Sequence, residues 1–176
     1  MEISKTLVYN ALEKREAIKF TRVFDNDYTW DNFINFINYA IKQENPNALN
    51  TNAKETIGHV NFWQKLTLTL DNLSNEYFPE IEEKNFFLQL FIDKKANGKF
   101  GAVSFTDSEP TTGLHSDPVT VMYWNCIGSV QWTVYTESEE QSFILNPGDI
   151  ILVPANMRHE VKSLGPRAAI SFMFEA

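Results

Sequence analysis

One cysteine, Cys126, is all the thiol this 176-residue chain has. It allows neither an internal disulfide framework nor a cysteine-based zinc site, and fits a reducing compartment. Long apolar runs are missing too. No stretch approaches the roughly 20 apolar residues of a membrane span, and no N-terminal apolar run precedes a small-residue cleavage site. The expectation is a cytoplasmic protein with no membrane partner. Positive charge is scarce, with 15 Lys and Arg against 23 Asp and Glu, a net charge of -8 and a pI near 4.9. Phosphate backbones are gripped by clustered cations, so no nucleic-acid partner is expected. A basic protein or a small molecule is the easier partner. Nor is there a Ser-His-Asp or Cys-His arrangement that would call for a side-chain nucleophile.

What the chain does have is a core. Hydrophobic residues make up 43% and aromatics 14%, fourteen of them Phe, which is incompatible with a disordered, charge-dominated chain. The length suits one domain over residues 1–176. Its texture divides near residue 85, into a mainly helical support segment (1–84) and a β core (85–176). Thr29 is placed to cap a helix through Trp30, Phe33, Phe36, Ile37, Ala40 and Ile41, whose spacings of three and four share one face. Val60, Trp63, Leu66, Leu70 and Leu73 repeat that spacing. The intervening ENPNALNTNAKET reads as a loop.

From Asn85 onward about eight strands are expected: FFLQLFI, KFGAVSF, LHSDPVTVMYWNCI, SVQWTVYT, QSFILN, DIILVP, HEVKSL and AAISFMF. Their connectors are turn-like: ANG at 96–98, EPTTG at 109–113, Gly128, NPG at 146–148, and GP at 165–166. So many strands with no helix between them point to a sandwich or barrel, and helices followed by a barrel make an α+β fold.

Three residues carry chemistry. His115 and Asp117 are two apart, so on a regular strand both face one side while Ser116 faces away. His159 follows 44 positions after His115, in PGDIILVPANMRHEV, and would arrive from a later strand of the same barrel. Two imidazoles and a carboxylate can hold a divalent metal on one face and leave positions open, with iron(II) the fitting ion, manganese or nickel able to use the same ligands, and zinc less expected. His59 lies on the edge of a presumed helix with no partner motif and is assigned no role. Tyr123 and Asn125 share parity with the His-x-Asp pair and would face the interior, where their polar groups need partners. Trp132, on the neighbouring strand, either closes the pocket or fills the barrel. Cys126 has the opposite parity.

LHSDPVTVMYWNCIGSVQWTVY followed by PGDIILVPANMRHEV resembles the double-stranded β-helix (jelly-roll) of the cupin superfamily. More closely it is similar to JmjC-like and cupin-like iron(II)- and 2-oxoglutarate-dependent oxygenases. The resemblance covers roughly the last 90 residues. Asp117 stands where ordinary cupins usually carry a second His. It implies that His115, Asp117 and His159 bind iron(II), that 2-oxoglutarate and O2 are cosubstrates, and that the enzyme is a dioxygenase acting as a hydroxylase, or a demethylase where the oxidised carbon is on nitrogen.

In JmjC-like members a Lys or Arg two residues after the glycine that follows the first ligand strand holds the far carboxylate of 2-oxoglutarate. Here Gly128 is followed by Ser129 and Val130, so that cation is missing. Two substitutes are implied by the same resemblance. Arg167 matches an Arg that other branches place shortly after the distal His, and Thr112 matches a hydroxyl position near the far carboxylate. As plain residues, Arg167 is equally a solvated charge after a Gly-Pro turn and Thr112 a turn residue. A metal-binding cupin of other chemistry and a noncatalytic cupin-like binding domain remain alternatives, and the substrate is a protein side chain or a small molecule.

Overall fold

The computed structural model describes residues 1–25, 27–42, 49–51, 67–70, 79–105 and 113–175. Helix α1 (Lys5–Lys14) starts at Ser4, whose hydroxyl accepts the Leu7 amide, and ends at Arg15 in a left-handed conformation. Strand β1 (Ile18–Phe20) follows, then helix α2 (Trp30–Lys42). At the start of α2 the expected cap is reversed. The Thr29 hydroxyl donates to Oδ1 of Asn32, which also accepts the Thr29 amide. Asn32 therefore satisfies the chain end by reaching back, in the manner of a capping box. Phe33 and Phe36 are buried on the face the spacing predicts.

The expected loop over residues 44–56 contains a short strand, β2 (Leu49–Thr51), and Leu70 lies in strand β3 (Thr67–Leu70) rather than in a helix. TLTL alternates β-branched and apolar residues with period two, which outweighs the looser three-and-four spacing around it. Val60 to Leu66, Leu73 and His59 lie outside the described residues. FFLQLFI is likewise not a strand but the C-terminal half of helix α3 (Pro79–Ile92). Its buried residues Ile81, Asn85, Leu88 and Ile92 recur every three or four positions, while Phe86 and Leu90 are exposed. The continuous apolar run hides this period. The start signals are upstream, with Pro79 in the first turn and Glu80 and Glu82 near the positive end of the helix dipole. No described helix is long and apolar enough to cross a membrane.

The β core comprises β4 (Ala96–Ser104), β5 (Thr120–Ile127), β6 (Val130–Tyr135), β7 (Glu140–Leu145), β8 (Ile150–Val153), β9 (Arg158–Ser163) and β10 (Arg167–Phe174). ANG, expected as a turn, opens β4; the reversal occurs just before it, where Asp93 takes a positive φ of 52°. Two antiparallel sheets result, one in the order β1-β8-β5-β10-β4-β3-β2 and one in the order β7-β6-β9. Their facing sides enclose Val121, Tyr123, Val130, Trp132, Leu145, Ile151, Val161 and Ala169. The outer side of the larger sheet buries Met122, Trp124, Cys126, Ile170 and Phe172 against Val8, Phe33, Ile81 and Leu88 of the helices. Covering both faces explains why β5 is buried along nearly its whole length.

Two turns fix the register. Asp149, 3% exposed, accepts the backbone amides of Arg22 and Asn146 and pairs with Lys19 at 2.8 Å. Gly128, at φ +69°, links β5 to β6, and its carbonyl accepts the Asn125 side-chain amide at 2.7 Å. A Cβ there would lie 2.1 Å from the Pro166 carbonyl oxygen. Left-handed strain plus that collision predicts that Gly128→Ala loses about 2–4 kcal/mol of stability. Urea denaturation checks this, and an unchanged midpoint would count against it.

Candidate metal centre

His115 and Asp117 do not lie on a regular strand, because Pro118 interrupts the segment and β5 begins only at Thr120. Backbone pairing brings the trio together instead. The His115 amide donates to the His159 carbonyl at 3.0 Å and the His159 amide returns the bond at 2.8 Å. This bridge adds the 115 segment to the open edge of β9, as a fourth position of the smaller sheet. The Asp117 carbonyl accepts the Asn156 amide, which anchors the acid to the turn before β9. One potential ligand atom from each of His115, Asp117 and His159 then lies within 4.8 Å of the others.

The tautomers follow from the acceptors. Nδ1 of His115 meets the Gly113 carbonyl at 2.9 Å, and Nδ1 of His159 meets the Met157 carbonyl at 2.9 Å. A carbonyl only accepts, so each Nδ1 carries a hydrogen, which turns Nε2 of each ring toward the trio's centre as the nitrogen a metal would use. His159 Nε2 is 3.4 Å from Asp117 Oδ2. Burial holds the His159 imidazole below its ordinary range; the Met157 carbonyl and Asp117 oppose that shift, and neighbouring His115 reinforces it. The neutral, ligating form is thereby favoured. His159 is 1% exposed while His115 and Asp117 are only partly buried, so the trio sits at the mouth of the barrel. Two imidazoles and a carboxylate brought this close are a donor set that a divalent metal can use.

Deeper in the barrel the rings form a chain. The Trp132 indole stacks on His159 at 4.9 Å and 27°, and meets Tyr123 edge-on at 5.0 Å. The Tyr123 hydroxyl accepts Nη1 of Arg167 at 2.8 Å, and the Ser163 hydroxyl accepts its Nε at 3.1 Å. Arg167 is 2% exposed, so it is no solvated charge. Among the described residues no acidic side chain forms an ion pair with it. Buried cations rarely persist without a compensating anion.

Asn125 is fully buried, but its amide nitrogen serves the carbonyls of Gly128 and Leu145, so it ties the β5–β6 turn to the end of β7. Thr112 lies outside the described residues. Val130 is buried inside the barrel, and Cys126 faces the helices. Ser163 was not singled out from the sequence, although it shares strand parity with His159 and so had to face the same interior.

No family model matches the chain, and no curated protein matches it. Solved structures do. The X-ray structure of Escherichia coli YcfD superposes with a TM-score of 0.69 at 17% identity, over 100% of this chain and 55% of that one. YcfD, a ribosomal oxygenase, in complex with cobalt and 2-oxoglutarate, superposes at 0.67 and 17% identity over 99% of this chain and 53% of that one. The complex with cobalt and succinic acid gives 0.67 at 16% identity, over 99% and 53%. The fold is the one these structures share, an α+β double-stranded β-helix. This chain spans about half the length of those proteins. Within the barrel, His159, Trp132, Tyr123, Arg167 and Ser163 form one connected series of contacts.

Proposed function

We propose that this protein is an iron(II)- and 2-oxoglutarate-dependent oxygenase that hydroxylates a protein side chain or a small molecule, or demethylates where the carbon is on nitrogen. The observation that carries this reading is Arg167, a buried cation without a carboxylate partner in the same barrel as the His-Asp-His trio. Its position also answers the missing cation at residue 130. In the β6–β9 pairing Val130 stands opposite Ser163, and the Ser163 hydroxyl accepts Nε of Arg167. The last strand thus delivers a guanidinium to the neighbourhood that residue 130 would otherwise supply.

In this reading Nε2 of His115, Nε2 of His159 and the Asp117 carboxylate would hold the metal, and the Arg167 guanidinium would take the far carboxylate of the keto acid. When bound, iron(II) with 2-oxoglutarate and O2 supplies the oxidising power to insert oxygen into a C–H bond, coupled to loss of CO2 from the keto acid. The chain's own contribution is placement and shielding. The Gly113 and Met157 carbonyls fix both imidazole rings, Tyr123 and Ser163 aim Arg167, and Val121, Val130, Trp132 and Val161 keep water from the inner end. YcfD, with the same fold, has been captured with cobalt and 2-oxoglutarate, which supports the cosubstrate assignment. The net charge of -8 favours a basic protein region where the substrate is a protein.

Anaerobic titration with iron(II) and then 2-oxoglutarate tests the reading. A weak visible charge-transfer band is expected only when both are present. Its absence at saturating metal and keto acid would overturn the reading in favour of a metal cupin without a keto acid.

A further inference from the structure

We infer that Trp132 is a binding residue for the carboxylate ligand of this site, donating its indole N–H to the ligand between the metal trio and Arg167. The inference rests on the keto-acid reading above. Trp132 is 3% exposed and its Nε1 has no hydrogen-bond partner among the described residues. Buried donors are almost always paired, so an unpaired one beside a ligand site marks a place where a ligand completes the bonding. The ring's position specifies which ligand. One neighbour is the His159 imidazole, stacked at 4.9 Å, and the other is the Tyr123 phenol, whose oxygen accepts from Arg167. A dicarboxylate held at one end by the trio and at the other by the guanidinium would lie beside this indole, and its oxygens are acceptors only.

Packing alone gives no reason for the nitrogen. Trp132 sits among Val130, Tyr123 and Val161, where a phenylalanine ring would provide apolar contact without an unpaired donor. Trp124 is the internal contrast. Its Nε1 is also unpartnered, but it lies on the helix-facing side among Phe24 and Tyr28, with Lys84 over its ring. A donor there meets no anion site.

Trp132→Phe keeps the ring and removes the donor. Isothermal titration of the manganese(II)-loaded protein with 2-oxoglutarate should show binding at least about tenfold weaker in this variant, the scale of one lost hydrogen bond to a charged acceptor. Affinity for manganese alone should not change. In parallel, the wild-type protein labelled with ¹⁵N-tryptophan and loaded with zinc(II) should show one indole resonance, the one missing from Trp132→Phe, moving downfield when 2-oxoglutarate is added. Equal affinity in the two proteins, or an indole resonance that stays still while wild type binds, overturns this inference alone. If wild type binds no 2-oxoglutarate, the functional reading falls and this inference falls with it. Should Trp132→Phe fail to fold, the wild-type resonance decides, assigned to Trp132 by its nuclear Overhauser contacts to the Tyr123 ring 5.0 Å away.

Discussion

Asp117→Ala should leave a folded barrel that no longer binds a divalent metal. Wild type at a metal concentration a hundred times its Kd gains about 2.7 kcal/mol of stability from binding, and the variant should gain almost none. A drop in affinity of at least about a hundredfold is expected, since altering only the groups that orient a ligand already costs 10–100-fold. The fold is spared because Asp117 is anchored through its backbone carbonyl to Asn156, a bond alanine keeps. Its side chain is about a third exposed, and the buried His159 imidazole beside it keeps its own bond to the Met157 carbonyl when the carboxylate goes. Cobalt(II) absorption gives a direct check alongside thermal denaturation. Undiminished cobalt binding by Asp117→Ala would show that the trio is not the metal centre and that the carboxylate serves only its 3.4 Å contact with His159.

The sequence carried the barrel because its strands announce themselves. Glycines at positive φ join β5 to β6 (Gly128), β7 to β8 (Gly148) and β9 to β10 (Gly165), and Pro154 closes β8. Helix α3 was opaque for the opposite reason. A helix buried on one side and still apolar on the other, with Phe86 at 63% and Leu90 at 50% exposure, shows no amphipathic period in its C-terminal half. β1 and β2 are three residues each, too short for a pattern to stand out, and gain their stability by pairing with β8 and β3.

The convergence of His115, Asp117 and His159 was legible for a partly mistaken reason. Strand alternation predicts that His115 and Asp117 face together, but the structure joins them through a single bridge to His159 and a bond to Asn156, long-range pairings that spacing does not display. Tyr123 does face the interior, although the strand from which its parity was counted is broken at Pro118. Parity could not reveal that the phenol would be claimed by a cation 44 residues later in the chain. Ser163 was equally hidden, a small hydroxyl without a motif, meaningful only once Arg167 lies beside it.

Arg167→Met provides the other large expected effect, and its sign separates function from architecture. Methionine has similar length, keeps the apolar stem and removes the charge. Were Arg167 a structural brace, losing its bonds to Tyr123 and Ser163 would lower stability markedly. A buried cation without a counter-ion, however, carries an uncompensated desolvation cost, and replacing such groups with well-packed apolar ones is often neutral or stabilising. The unliganded variant should therefore be no more than about 1 kcal/mol less stable than wild type. Binding should behave oppositely. Removing one partner of a buried charge pair costs roughly 2–5 kcal/mol, so 2-oxoglutarate affinity should fall at least about thirtyfold while affinity for the metal is retained. Arg167→Lys keeps the charge but not the planar fork and should lie between the two. Calorimetry with manganese(II)-loaded proteins measures the binding and urea denaturation the stability. A methionine variant that unfolds readily yet binds the keto acid normally would make Arg167 a brace and return the search for the anion site to other residues.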